Sequence, residues 1–213
     1  MPEANPAKTT SNAQSDAELD AAMDRYAQGD DRAFAVVHTG LYQRIRLFLM
    51  RLCRAPSLAD DLLQETFLRM HRARGSFASG ARVVPWAYAI ARNVHTDHVR
   101  SAHARRTTSL DAREEDDGGA RVEIAAGPGT DAEQVSIARQ TAKVVEQALA
   151  TLPPAQREAF VLVRYEGMSV ADTARILGVT ENAVKLRAFH AYEALRGALG
   201  IDKNRARRGA DPE

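Results

Sequence analysis

The chain has 213 residues, enough for one ordinary domain or two small ones, and its 29 Lys and Arg against 28 Asp and Glu leave a net charge of +1. Any affinity for nucleic acid must then come from local patches, not from overall charge. No run approaches the roughly 18 apolar residues of a membrane span, and the single cysteine excludes an internal disulfide framework and fits a reducing cytoplasm.

Residues 1–15, MPEANPAKTTSNAQS, are rich in Pro, Ala, Ser, Thr and Asn without apolar periodicity. They predict a disordered lead-in with no apolar signal region. A helical domain is expected over residues 16–106. Its first helix runs from Ser15-Asp16 to a glycine stop at Gly29. Asp30 and Asp31 start a second, long helix in which Phe34, Val37, Leu41, Ile45, Phe48 and Leu52 form one apolar stripe at spacings of three and four. Cys53, at the end of that apolar stretch, reads as a small buried hydrophobe and not as a nucleophile. Pro56-Ser57 breaks the stripe and caps a third helix, with Leu58, Leu62, Leu63, Phe67 and Met70 inward. Gly75 to Pro85 predicts a loop, and a fourth helix follows from Pro85 to about Arg105, with proline in a favoured first-turn position.

Composition then changes. Residues 107–131 hold four glycines, Pro128 and mostly acidic charges, and predict a flexible acidic linker. A second helical domain is expected over 132–200. Ala138, Thr141, Val145, Ala148 and Leu149 line its first helix, which ends near Leu152-Pro153-Pro154. Another helix runs through Ala159, Leu162 and Val163 to Glu166-Gly167. Residues 201–213 form a basic tail. Nothing alternates as a strand, so the fold class is all-α.

Residues 169–196 carry the most readable local signal. Ser169-Val-Ala-Asp172 is a capping-box pattern, and Val170, Ala174 and Leu177 form the seam of a short helix. Gly178 supplies a turn of positive φ, and Thr180 caps a second helix with Val184, Ala188, Ala191 and Leu195 inward. The opposite face shows Glu181, Asn182, Lys185, Leu186 and Phe189. A helix enters the major groove by its N-terminal half, where Lys reaches guanine or phosphate, Asn a base edge or phosphate, and an apolar side chain a thymine methyl. The same pattern also fits a helical hairpin with a solvated face. Phe189 on the exposed side favours the DNA-binding reading.

No Gly-rich phosphate loop, HExxH or GxSxG occurs. His95 and His98 stand three apart on an Arg-rich helix, where a solvent- or DNA-facing role is expected, and Glu114 to Asp117 lacks calcium-loop spacing. The expectation is no catalytic residue, no metal, no cofactor and no small-molecule substrate.

Three segments together resemble the sigma-70 family, in its two-domain extracytoplasmic-function branch. Asp60-Asp-Leu-Leu-Gln-Glu-Thr-Phe-Leu-Arg-Met70 is similar to the helix that grips the clamp helices of the polymerase largest subunit. Phe77 through Pro85-Trp86-Ala-Tyr-Ala-Ile-Ala-Arg-Asn93 to Asp97-His98-Val99-Arg100 resembles the segment that opens and reads the minus-ten element. Leu152-Pro-Pro-Ala-Gln-Arg-Glu-Ala-Phe160 through Glu166-Gly-Met-Ser169 to Val184-Lys185-Leu-Arg187 resembles the domain that reads the minus-thirty-five element.

The resemblance implies that Asp61, Gln64 and Glu65, otherwise an ordinary solvated helix face, dock core RNA polymerase. It implies that the loop from Phe77 to Val84, with Asn93, holds a flipped-out base of the non-template strand, and that Arg74, Arg92, Arg100, Arg105 and Arg106 supply phosphate contacts. Trp86 can stack near the melted strand or belong to the core. The loop departs from the commoner form, which has an acidic residue soon after its glycine. Asn182, Lys185, Leu186, Arg187, Phe189 and His190 are placed at the minus-thirty-five element. His190 stands where many members carry Arg, which makes a phosphate contact there sensitive to pH near neutrality. The acidic linker would thread polymerase channels otherwise occupied by nucleic acid. The implied partners are core RNA polymerase, promoter DNA and an anti-sigma factor, in the cytoplasm and without membrane insertion. Two rivals are a stand-alone helix-turn-helix regulator and a sigma mimic that sequesters an anti-sigma factor.

Overall fold

The computed structural model describes residues 6–53, 55–108 and 132–200, with side chains from residue 15 to 105, at 136 and from 140 onward, except 54. The expected linker beyond Thr108, the expected tail, and the side chains of Arg106 and Ala138 lie outside the described residues. The described residues form helices without strands, in two compact units.

The first unit contains α1 (Pro6–Ala27), α2 (Phe34–Cys53), α3 (Pro56–Ala73) and α4 (Val83–Thr108). Helix α1 starts nine residues before the expected Ser15, inside the segment read as a disordered lead-in. Pro6 is suited to a first helical position, and the absence of an apolar stripe says nothing against backbone helix there. At its other end Gly29 takes φ +105°, as a glycine stop requires. Asp30 then caps a short 3₁₀ turn, Asp31–Ala33, by accepting from the Arg32 amide at 3.1 Å, and α2 follows. The α2 stripe behaves as its spacing predicts: Val37, Leu41, Ile45 and Phe48 are fully buried, and Leu52 nearly so.

Helix α3 is not capped by Ser57. Its N-cap is Ala55, with no side-chain bond, and Pro56 occupies the first turn, where its missing N–H is one of the orphans anyway. Helix α4 begins two residues earlier than expected. Val83 and Val84 are buried, and the Val83 amide donates to Asp20 Oδ1 of α1 at 2.7 Å, so the cap comes from another helix. Pro85 then sits in the first turn, where no intrahelical amide is needed.

Helix α4 packs against α1, α2 and α3. The Phe48 and Tyr88 rings meet edge-on at 5.1 Å between centroids at the middle of this core. Burying each such side chain contributes roughly 1.5–3 kcal/mol. Gly40 lets α2 approach α1 closely: a Cβ there would lie 2.4 Å from Leu19 Cδ2. On the same α1 face, Asp16 accepts from Arg44 Nη1 at 2.6 Å. Burial disfavours the charged form of Arg44, but the bond to Asp16 and the nearby Tyr88 outweigh it and raise its pKa above the ordinary value.

The second unit contains α5 (Ala132–Thr151), α6 (Pro154–Phe160) continued by a π-helical turn (Val161–Tyr165), α7 (Val170–Leu177) as far as Ala174, and α8 (Glu181–Ala198). Its core joins Leu149 and Leu152 to Phe160, Ala191 and Leu195, with Val145 and Ala148 packed against it. Arg157 is buried beneath α5. Its Nε donates to the Leu149 carbonyl at 2.8 Å, and its Nη2 donates to those of Ala150 and Leu152 at 2.8 and 3.0 Å. One side chain thus donates to three carbonyls at and just past the end of α5, where intrahelical partners run out.

Candidate polymerase and promoter interfaces

Helix α3 presents Asp61 and Gln64 to solvent, while Glu65 is half-buried. The three lie on one face, as expected, but their charges are not equivalent. Glu65 Oε1 accepts from Arg69 Nε at 2.8 Å, and Arg69 Nη1 donates to Asp97 Oδ2 of α4 at 2.7 Å. Those two bonds, Asp97 first, hold the Arg69 pKa above its ordinary value. Asp60 is likewise engaged, by a two-pronged bond from Arg46 at 2.6 and 3.3 Å. Asp61 and Gln64 therefore form the outward part of this face, while Glu65 holds Arg69, whose bond to Asp97 ties α3 to α4. Beside them lies a shallow groove lined by Phe34, His38, Tyr42, Leu63, Phe67 and Leu68.

The segment before α4 is built as a held loop. A 3₁₀ turn (Arg74–Ser76) leads into Phe77, whose amide donates to the Arg74 carbonyl at 3.1 Å. The Phe77 ring is only 7 % exposed and meets Trp86 edge-on at 5.1 Å. Phe77, expected among the minus-ten residues, is thus buried as an anchor of the loop. Trp86, open to two readings in the sequence, is half-buried, with its ring against Phe77. Gly80 takes φ +75°, which L side chains rarely adopt, and its amide points at the Asp24 carboxylate, 3.2 and 3.3 Å from the two oxygens.

Along α4, Trp86, Asn93 and Arg100 stand seven residues apart, close to two helical turns, so they share one strip roughly 21 Å long. Asn93 and Arg100 are exposed; Arg92 is half-buried. Arg105 is exposed as well. Arg74 is engaged within the fold. Its guanidinium lies over the Tyr26 ring at 5.1 Å, bonds His71 Nδ1 at 3.1 Å and pairs with Asp31 at 3.4 Å. It closes the end of the aromatic cluster of Tyr26, Phe34, Phe67 and His71.

In the second unit the helix-turn-helix pattern is realised residue by residue. Ser169 Oγ accepts from the Asp172 amide at 3.0 Å and donates to the Asp172 carboxylate at 2.7 Å, so the hydroxyl half of the expected box caps α7. Gly178 has φ +65°, and Thr180 Oγ1 accepts from the Ala183 amide at 3.2 Å to cap α8. Asn182, Lys185, Leu186, Phe189 and His190 are exposed on α8, with Leu186 and Phe189 at 57 % and 55 %. Arg187 is half-buried, between that face and the packed one.

Four residues that matter here were not singled out from the sequence. Asp20 and Asp24 hold the loop and the start of α4; with Asp16 they recur every fourth residue, a spacing that puts all three on one helix face. Arg157, whose buried role was described above, carries no distinguishing sequence signal. Tyr192, 54 % exposed, extends the apolar face of Leu186 and Phe189 by one further step of three.

Comparison with known proteins places the family. Residues 39–106 match the family Sigma-70 region 2, and residues 142–195 match Sigma-70, region 4. The chain is 34 % identical to RNA polymerase sigma factor CarQ of Myxococcus xanthus, over 84 % of this chain and 95 % of that protein. It is 40 % identical to ECF RNA polymerase sigma factor SigM of Mycobacterium tuberculosis, over 87 % and 85 %. Its fold is similar to that of the sigma factor RpoE solved with the anti-sigma factor NepR from Bartonella quintana, with TM-score 0.65 and 24 % identity over 80 % of this chain and 98 % of that one. It is also similar to that of CnrH solved with the cytosolic domain of CnrY, with TM-score 0.60 and 23 % identity over 89 % and 99 %. The chain belongs to the sigma-70 family, among its ECF RNA polymerase sigma factors.

Proposed function

We propose that the chain carries core RNA polymerase to a restricted set of promoters by binding alone, with phosphodiester synthesis left to the polymerase. The first unit docks through Asp61, Gln64 and Glu65, with Arg69 bracing α3 against Asp97 of α4, and traps the unpaired minus-ten strand along Trp86, Asn93 and Arg100. A base flipped out of the stack, at a cost of a few kcal/mol, enters the loop between Phe77 and Val83. The second unit lays α8 in the minus-thirty-five major groove, where Lys185 meets phosphate or guanine, Asn182 a base edge, and Leu186 or Phe189 a thymine methyl. Arg187 and His190 flank that contact toward the backbone. An anti-sigma factor is the third partner: RpoE was solved with the anti-sigma factor NepR, and CnrH with the cytosolic domain of CnrY. Leu186, Phe189 and Tyr192 are the apolar surface such a partner would cover. Among the described residues no helix is long and apolar enough to cross a membrane, and action in the cytoplasm follows from the proposed work on polymerase.

The observation that carries this reading is the joining, within one four-helix unit, of an outward Asp61–Gln64 face and a held loop opening onto the Asn93 strip. A stand-alone DNA-binding regulator needs neither. Run-off transcription from genomic promoters with cognate core enzyme tests it: start-site-specific transcripts are expected only when the chain is added. Absence of such transcripts at every promoter would overturn it. Footprinting with and without core separates the rivals, since a regulator protects duplex DNA unaided and a mimic protects none.

A further inference from the structure

We propose that Asp24, with Asp20 one turn away on α1, positions the base-capture loop and thereby sets its selectivity. The proposal rests on the reading that residues 77–83 hold a flipped base. The loop residues Ala78, Ser79, Gly80 and Ala81 have little side chain with which to pack, and the loop carries no carboxylate of its own. Left alone, such a segment samples many conformations, and a pocket that is not preorganised discriminates poorly between bases.

The structure supplies three anchors. Phe77 is buried at the entry. At the exit Val83 is buried and its amide donates to Asp20 Oδ1 at 2.7 Å. Between them the amide of Gly80 faces both Asp24 oxygens at 3.2 and 3.3 Å, and the Ala81 amide closes a turn onto the Ala78 carbonyl at 3.0 Å. With those amides and that carbonyl engaged, fewer backbone groups remain to meet an incoming base, and those that do are held in one arrangement.

A carboxylate beside a strand of phosphates repels it, so its place here has to be explained by what it holds. The acceptor and the charge can be separated. Asp24→Asn keeps an oxygen for the Gly80 amide and removes the charge; Asp24→Ala removes both. Because the bond is at the surface, neither change removes core packing.

The experiment uses the full chain with core polymerase and forked promoter DNA in which each non-template minus-ten base is varied in turn. The readout is the ratio of complex formed with the preferred base to that with the others, alongside core affinity and Tm. Wild type is expected to prefer one base at one position. Asp24→Ala should cut that ratio at least fivefold with core affinity unchanged, and Asp24→Asn should keep it within twofold. The proposal is overturned if Asp24→Ala keeps the ratio within twofold, if Asn loses as much as Ala, or if core affinity falls in step with the ratio. Asn93→Ala separates this from the underlying reading. If it shifts the ratio and Asp24→Ala does not, only the positioning role fails; if wild type shows no preference and Asn93→Ala changes nothing, base capture itself fails and the proposal with it.

Discussion

The two units solve different recognition problems and are built differently for them. In the first, the segments proposed to meet DNA are tied down by side chains from elsewhere in the fold: Asp24 on Gly80, Asp20 on Val83, Phe77 against Trp86. In the second, the side chains proposed to read DNA stand out from a single helix, and Leu186, Phe189 and Tyr192 are each more than half exposed. An unpaired base has no fixed geometry of its own, so the protein must provide the pocket. Duplex DNA brings its own regular groove, and a rigid helix with a bare face is enough. The first unit therefore spends polar groups on holding a loop, whereas the second spends them on holding the helices that support α8. Arg157 is the clearest case of the latter.

That contrast is broken most severely at Arg157. Charge-assisted bonds to three carbonyls contribute about 1.5–3 kcal/mol each, partly offset by the cost of burying the guanidinium. Arg157→Met is expected to destabilise the second unit by about 3 kcal/mol, seen as a new low-temperature transition in circular dichroism and as loss of minus-thirty-five binding. An unchanged melting profile would mean that these carbonyls can be satisfied by water.

A smaller effect should follow from reversing the outward charge of α3. Asp61→Arg is expected to weaken association with core polymerase by about 2 kcal/mol, roughly thirtyfold, with duplex binding by the second unit unchanged. Glu65→Gln should cost less at the interface, since Glu65 faces Arg69 within the fold. Equal losses at both positions would show that the Glu65–Arg69 pair opens on docking. On α8 the effects are smaller again. Lys185→Ala should lower affinity by about 1 kcal/mol for all sequences and reduce the salt slope by about one, while Leu186→Ala should relax preference at one base pair. Titrating salt against cognate and altered duplexes distinguishes the two.

The legibility of the molecule follows the same divide. Apolar spacing located α2 and α3, and glycine and capping chemistry located Gly29, Gly178 and Thr180, because each signal is local. The face of α8 was equally readable, since a helix displays its residues in sequence order. What the sequence concealed are bonds between distant segments. The start of α4 was misplaced by two residues because its cap, Asp20, lies 63 positions earlier. The burial of Phe77 was hidden because exposure of a loop aromatic depends on what packs under it. The contacts of Arg74 with Tyr26, His71 and Asp31 were hidden for the same reason. The early start of α1 escaped because helix without an apolar stripe leaves no periodic mark.

The smallest effect, and a probe confined to the first unit, is offered by Cys53, the only cysteine in the chain. It is half-buried at the end of α2, and burial pushes its thiol up from 9.0 to about 12. The reactive species is the thiolate, so near neutral pH the folded protein should hold roughly a thousandfold less of it than an ordinary thiol would. Alkylation should then proceed mainly through opening of the first unit, and mass spectrometry should find it slow under native conditions and fast in denaturant. The pH dependence has a definite sign. A folded-state pKa raised above the unfolded one stabilises the protein fully below about 9, and that contribution is lost as pH rises from there towards 12. Labelling should consequently accelerate above pH 9 by more than the growth in thiolate of a free cysteine explains. If it instead tracks a free cysteine at every pH, the end of α2 is open to solvent, and the first unit is less tightly held there than at its loop.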